Sequence, residues 1–160
     1  ELRQAEWREF DLERAVWSIP AAKMKMRRDH RIPLPAQAVA ILRALHVISG
    51  RGDLVFPGIV STKKPISENT LNVALRRMGF GAEEMTAHGF RATASTILNE
   101  TGLFSADAIE VQQSRKDKNA VRSIYARGDY FEERQRMAAW WADYLDTLRK
   151  GADVVPLGRA

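Results

Sequence analysis

The sequence contains no cysteine. Without thiols, disulfide bonds and cysteine-based zinc sites are excluded, and this composition fits an intracellular setting. No apolar run approaches the roughly 18 residues that suggest a membrane-spanning helix. The first residues, ELRQAEWREFDLER, are polar and charged where a secretory signal is apolar, so we expect no signal peptide and no membrane association.

Acidic residues are in the minority. Among 160 residues, 25 Lys and Arg face 20 Asp and Glu, which gives a net charge of +5. The excess is concentrated in one segment, where Asp29 is the only acid beside five basic residues: Lys23, Lys25, Arg27, Arg28 and Arg31. Such a cluster favours a polyanionic partner, although a basic run is also common on an ordinary solvated surface, and the cluster alone leaves both open.

Two short β-prone segments flank the basic cluster. AVWSIP at residues 15–20 and RIPL at residues 31–34 predict a β-hairpin with a cationic connection. LVFP at residues 54–57 predicts a further short strand or an extended segment.

Most of the remaining chain has helical periodicity and typical helix-capping residues. We expect helices after Pro35, Ser67, Thr86 or His88, Ser105, Asp117 and Tyr130. The sequence therefore predicts a mainly α (α+β) fold with a small antiparallel β-sheet near the N-terminus. Residues 1–150 are predicted to form one domain, and residues 151–160 a mobile C-terminal tail.

The last predicted helix, FEERQRMAAWWADYLDTLRK, has the strongest amphipathic pattern. Its apolar face consists of Met137, Trp141, Tyr144, Leu145 and Leu148. We expect this face to pack against the core and Gly151 to end the helix.

The segment TAHGFRATAST places His88 and Arg91 three residues apart near a predicted helix start. At this spacing the two side chains lie on one helical face, and helix N-termini attract anions. The pair predicts an anion-binding site. The alternative is that His88 hydrogen-bonds a nearby carbonyl while Arg91 is solvated or pairs with Glu83 or Glu84.

Six segments, taken in chain order, resemble the catalytic domain of tyrosine recombinases, and most closely that of P4-like prophage integrases. They are ELRQAEW, WSIPAAKMKMRRDHRIPL, LVFP, ISENTLNVALRRMGF, TAHGFRATASTILNE and IYARGDYFEERQRMAAWWADYLD. The resemblance implies site-specific DNA recombination, with strand cleavage and rejoining through a 3′-phosphotyrosyl intermediate and no metal or cofactor. It also implies double-stranded attachment-site DNA as partner, a homotetramer on DNA and a bacterial cytoplasmic location.

The resemblance also implies a role for each site residue. Tyr125, in the motif IYAR, matches the nucleophile, and Arg91 and His88 match residues that bind the scissile phosphate. Lys25, on the hairpin, matches the general acid that protonates the leaving 5′-oxygen. Arg115 stands where relatives carry a phosphate-binding histidine in a Q-L-x-H motif.

Several of these positions have rivals. Lys23 competes with Lys25, although contact with the DNA backbone is its other predicted role, shared with Arg27, Arg28 and Arg31. Tyr130 and Tyr144 compete with Tyr125, but Tyr144 lies on the apolar face of the last helix and is expected to be core.

The sequence departs from the family pattern in two places. The first catalytic arginine of a motif like R-P-G-E-L-R-Q falls three residues before residue 1, and Arg3 matches a later arginine. We therefore expect a fragment of a longer integrase, inactive alone. Arg115 either holds the phosphate through its charge or is solvated, as in a decayed integrase, so the alternative function is DNA binding without cleavage.

Overall fold

A computed structural model of the chain describes residues 1–24, 27–114 and 130–151. The chain forms two compact units, Glu1–Phe90 and Arg91–Ala160. The strands in the described residues are β1 (Phe10–Asp11), β2 (Val16–Ile19) and β3 (His30–Pro33). The helices there are α1 (Ala36–Ser49), α2 (Thr70–Arg77), α3 (Gly89–Thr101), α4 (Ala106–Gln112) and α5 (Phe131–Arg149). The predicted fold class, mainly α with a small antiparallel sheet, is confirmed.

The three strands form one antiparallel sheet in the order β1-β2-β3. Val16 pairs with Pro33 and Ile19 with His30, so the predicted hairpin is confirmed. Strand β1 was not predicted, because two residues are too short for a recognisable alternation. The LVFP segment forms only isolated bridges, between Glu6 and Leu54 and between Pro57 and Pro65, and is extended without being a regular strand.

The first unit is built around the buried face of β2. Trp17 and Ile19 are buried while Ser18 between them is exposed, as expected for a sheet with one face on the core. Phe10 of β1 stacks on Trp17 with ring centroids 5.1 Å apart. The buried cluster contains Ala5, Trp17, Ile19, Met24, Leu42 and Val55.

Helices α1 and α2 follow the sequence pattern to different degrees. Helix α1 begins directly after Pro35, as predicted, and has Gly50 as its C-cap. Helix α2 has Asn69 as its N-cap, so the predicted cap at Ser67 is wrong. The Ser67 hydroxyl instead lies 2.9 Å from that of Thr70. The helix thus starts two residues later than predicted.

The second unit has its own small core of Leu98, Ile109 and Met137, on which α4 and α5 pack. The predicted N-cap Ser105 is confirmed, because its hydroxyl accepts a hydrogen bond of 3.2 Å from the Ala108 amide. The helix predicted after Asp117 and the tail 152–160 lie outside the described residues. In the part of the chain that the structure describes, no helix combines the length and apolar character that crossing a bilayer requires.

We predict that Met137→Ala lowers the free energy of unfolding by about 3 kcal/mol, because the side chain is 1% exposed and its removal leaves a cavity. Leu148→Ala is the matched control, since Leu148 on the same helix is 44% exposed and should change stability by less than about 1 kcal/mol. Urea denaturation followed by circular dichroism measures both. Equal losses in the two variants would show that this face of α5 is not a core face.

Candidate functional site

Three of the five predicted catalytic residues, Lys25, Arg115 and Tyr125, lie outside the described residues, and their roles stay predictions. His88 and Arg91 are described, as are the four basic residues predicted to contact DNA: Lys23, Arg27, Arg28 and Arg31. The structure shows which neighbours bind Arg91 and Lys23.

The segment that leads into α3 is attached to α2 by two polar side chains. Asn72 accepts a hydrogen bond of 2.8 Å from the backbone amide of Ala87 through its Oδ1 atom. Arg76, one turn further along α2, donates a hydrogen bond to the carbonyl of Met85. Because these contacts hold the backbone on both sides of Thr86, they fix where the next helix begins.

Thr86 provides the local start signal for α3. Its Oγ1 atom accepts a hydrogen bond of 3.0 Å from the amide of Gly89, the interaction typical of an N-cap. His88 is therefore the last residue before α3, and it is exposed. The predicted helix start near Thr86 or His88 is confirmed, and the imidazole is accessible to a partner.

Arg91, the third residue of α3, is partly buried and bound to the end of α4. Its Nη2 atom donates to the backbone carbonyl of Gln113. In return, the Gln113 side chain donates a hydrogen bond of 3.0 Å from Nε2 to the Arg91 carbonyl. The sequence left open that Arg91 is solvated or pairs with Glu83 or Glu84. Among the described residues, the guanidinium of Arg91 instead donates to a neutral backbone carbonyl.

A neutral acceptor matters for an anion site. A guanidinium has five N–H donors, and the bond to the Gln113 carbonyl uses one of them. A carboxylate partner would cancel the positive charge, whereas a carbonyl only orients it. With the described residues as neighbours, Arg91 can therefore be fixed in place and still offer its charge and a planar pair of donors to a phosphate.

Helix α4, which carries this carbonyl, is itself held at both ends by adjacent residues of α5. At its start, Glu133 accepts hydrogen bonds from the Ser105 amide at 2.6 Å and the Ser105 hydroxyl at 3.0 Å. At its end, Arg134 donates from Nε to the Gln112 side chain at 2.8 Å. Because Arg134 is completely buried, this contact belongs to the interior of the unit.

Lys23, unlike Arg91, is bound by two carboxylates. Its ammonium donates to Glu6 Oε1 at 2.6 Å and to Glu9 Oε1, and it also donates to the Gln4 carbonyl at 3.0 Å. Glu9 is buried and accepts a further hydrogen bond of 3.0 Å from the Trp17 indole. These contacts join the turn before the basic cluster to the N-terminal segment.

The carboxylates also shift the proton affinities in this group. Burial, the largest single influence on Lys23, disfavours its charged form, but the hydrogen bonds from Lys23 to Glu6 and Glu9 outweigh it, so the Lys23 pKa is raised above 10.5. The hydrogen bond from Lys23 lowers the pKa of Glu6 below 4.5. A general acid works best with a pKa near the operating pH. Lys23 is thus poorly suited to donate a proton, which favours its rival Lys25.

The connection between β2 and β3 is anchored on both sides of residues 25–26. Met24 is 4% exposed and belongs to the core, and Asp29 accepts a hydrogen bond of 2.8 Å from the Ala21 amide. Arg27 and Arg28 are exposed, as is Arg31 on β3. The prediction that Lys23 contacts DNA stays a prediction, but its charge is balanced inside the protein, and the exposed Arg27 and Arg28 are better placed to meet a polyanion.

Sequence reasoning gave no role to Gln113, which stands where the family motif has leucine, or to the anchors of the segment before α3, Asn72 and Arg76. Each acts through a hydrogen bond to a backbone group far away in sequence, and no local pattern marks such a contact. The one available signal was Gln113 itself, a polar residue where the tyrosine recombinase motif has leucine.

The match to the family model of the Phage integrase family covers residues 1–131. The chain belongs to this family. It is 43% identical over 155 residues to the prophage integrase IntA of Escherichia coli K12, covering 97% of this chain and 37% of the relative. It is 44% identical over 163 residues to the integrase of Enterobacteria phage P4, covering 93% of this chain and 37% of the relative.

A third relative is the integrase of Shigella phage Sf6, 39% identical over 147 residues, which make up 91% of this chain and 38% of the relative. The chain thus spans less than two fifths of the length of these three curated relatives. No solved structure matches it.

We predict that Lys23→Met costs about 3 kcal/mol of stability at pH 7, because it leaves the buried Glu9 carboxylate without its cation. The loss should be full between pH 4.5 and 10.5, the ordinary pKa values of Glu6 and Lys23. It should shrink as the pH falls through the lowered pKa of Glu6, whose protonated form no longer attracts Lys23. It should also shrink as the pH rises through the raised pKa of Lys23.

Urea denaturation across this pH range measures the effect. Arg43→Met is the control, since Arg43 pairs with Glu13 at 2.8 Å but both side chains are more than half exposed. Such a pair should contribute less than about 1 kcal/mol. A loss for Lys23→Met no larger than that of the control would contradict the assigned network.

Proposed function

We propose that this chain is part of a site-specific DNA recombinase that cleaves and rejoins DNA through a covalent bond to Tyr125. The observation that carries the proposal is the way Arg91 is held: among the described residues its guanidinium donates to a neutral carbonyl and pairs with no carboxylate, in a member of the phage integrase family. The proposed substrate is double-stranded attachment-site DNA of a phage or genomic island, bound by four protomers in the bacterial cytoplasm.

The first step is an in-line displacement at phosphorus. The phenolic oxygen of Tyr125 forms a bond to the scissile phosphorus, and the bond to the 5′-oxygen breaks. A tyrosine has an unperturbed pKa near 10, so its proton must be taken up or its developing charge stabilised. His88, exposed directly before α3, is proposed to accept that proton or to hydrogen-bond the phosphate.

Arg91 stabilises the transition state by binding two non-bridging phosphate oxygens. One such cationic donor is typically worth a factor of about 100 to 1,000 in rate. Arg115 is proposed as a supporting contact to the same phosphate. Because a guanidinium stays protonated at all physiological pH values, both contacts act as fixed charges.

The leaving 5′-oxygen takes a proton from Lys25, and the product is a free 5′-hydroxyl beside a 3′-phosphotyrosyl bond. The raised pKa and engaged ammonium of Lys23 favour Lys25 over its neighbour for this role. Attack by a 5′-hydroxyl of the partner strand reverses the chemistry, returns the proton and releases Tyr125. Bond energy is conserved in the exchange, so no cofactor is required by this scheme.

A second function, DNA binding without cleavage, is supported by the exposed Arg27 and Arg28, whose charges can hold phosphates whether or not Tyr125 reacts. It predicts salt-dependent binding and no covalent product. The proposals differ only in the chemical step, so the following experiments separate them.

We predict that the full-length protein carrying this chain forms a covalent adduct on a nicked suicide substrate with its attachment-site sequence, and that Tyr125→Phe abolishes it. Denaturing gel electrophoresis detects the adduct. Tyr144→Phe is the matched control, because the Tyr144 ring stacks on Trp140 and Trp141 and should keep its structural role without the hydroxyl. Adduct formation by Tyr125→Phe would refute the assigned nucleophile, and no adduct with the unaltered protein would favour binding without cleavage.

The exposed arginines give a separate prediction. Arg28→Gln should weaken DNA binding equally for specific and random sequences and lower the slope of log affinity against log salt by about one, since one phosphate contact is lost. Arg43→Gln should leave the slope unchanged, because Arg43 lies on α1, outside the basic cluster, and pairs with Glu13. Fluorescence anisotropy over a salt series measures both, and equal slopes for the two variants would place the interface elsewhere.

A further inference from the structure

We infer that Gln113 is a positioning residue for Arg91. The inference rests on the proposed function, because it gives Gln113 a part in the same cleavage step. The two residues exchange hydrogen bonds in both directions: the Arg91 guanidinium donates to the Gln113 carbonyl, and the Gln113 amide donates to the Arg91 carbonyl at 3.0 Å. Neither residue can then rotate without breaking a contact of the other.

Of the two hydrogen bonds between Gln113 and Arg91, only the one from the Gln113 side chain depends on residue 113 being glutamine. Gln113 is the C-cap of α4, and its carbonyl lies past the last helical residue, where the helix supplies no partner. A carbonyl at such a position can point in several directions. The bond from Nε2 to Arg91 fixes the Gln113 residue, and so it aims the Gln113 carbonyl at the guanidinium.

Stability is a weak reason for an amide at this position, because only one of its two polar atoms is hydrogen-bonded among the described residues. Gln113 is only 9% exposed, and its Oε1 atom is buried with no hydrogen-bond partner among the residues that the structure describes. A buried polar atom without a partner costs about 1 to 3 kcal/mol. Leucine has a similar size and would avoid this cost. We therefore assign the Gln113 amide a positional role: it holds the Arg91 guanidinium where it can bind the reacting phosphate.

The support behind Gln113 is rigid. Gln112, the preceding residue, accepts a 2.8 Å hydrogen bond from Arg134, which is fully buried on α5. The end of α4 is thus attached to α5 on one side and to Arg91 on the other. A misplacement of about 1 Å at a catalytic group can cost a factor of about 100 in rate.

The test compares Gln113→Leu and Gln113→Glu with the unaltered full-length protein, by the rate of Tyr125 adduct formation at saturating DNA and by DNA affinity. Assays run well below the melting temperature, so that every variant is folded. We expect Gln113→Leu to slow adduct formation about tenfold or more with unchanged DNA affinity. Its melting temperature should stay the same or rise, because the unpartnered Oε1 atom is gone.

Gln113→Glu adds a second measurement, the pH dependence of the adduct rate, which would not change if Gln113 had only a structural role. At neutral pH its carboxylate cannot donate to the Arg91 carbonyl and partly cancels the guanidinium charge, so the rate should fall further than in Gln113→Leu. As the pH falls and the carboxyl becomes protonated, its O–H can donate in place of the amide. The rate relative to the unaltered protein should then recover for Gln113→Glu and stay flat for Gln113→Leu.

Two results would overturn the inference: an unchanged adduct rate in Gln113→Leu, or the same flat pH dependence in both variants. These outcomes differ from failure of the proposed function, in which the unaltered protein itself forms no adduct at Tyr125. The comparison is made only after that adduct has been observed.

Discussion

A cation that binds a reacting phosphate must be held in place without having its charge cancelled. Arg91, the residue proposed to bind that phosphate, meets both conditions among the described residues, because its acceptor there is the carbonyl of Gln113. Two described helices of the second unit support that contact. Helix α5 holds α4 at its start through Glu133 and at its end through Arg134, and α4 ends at the carbonyl that orients Arg91. The small apolar core beneath these helices keeps the arrangement in register.

In the first unit, a cation is held by carboxylates instead of a neutral carbonyl. Lys23 is bound by Glu6 and Glu9, so its charge is balanced and its raised pKa makes it a poor proton donor. What it contributes is attachment, since the network joins the hairpin connection to the N-terminal segment. Of the two lysines in the basic cluster, Lys23 therefore has a structural contact inside the protein, and Lys25 is the one proposed as general acid.

Much of the fold could be predicted from local patterns. The hairpin, the start of α1 after Pro35, the N-cap Ser105 and the start of α3 near Thr86 each depend on residues close together in sequence, and each was confirmed. The N-cap of α2 was wrong because Ser67 and Asn69 are both good capping residues, and local preference does not rank them. On α5, Met137 was correctly placed in the core, whereas Leu145 and Leu148 of the same stripe are 45% and 44% exposed. Periodicity defines a face but not how much of it another element covers.

The sequence by itself determined the family and the residue types of the candidate site, because motif spacing and charge can be read along the chain. It also limited the choice of nucleophile to three tyrosines, and the IYAR motif favoured Tyr125. Only the tertiary structure decided which cations are neutralised: Arg91 meets a carbonyl 22 residues away, and Lys23 meets two carboxylates that lie 14 and 17 residues before it. Such pairings follow from how separate elements pack, and electrostatic interactions depend on those distances in space.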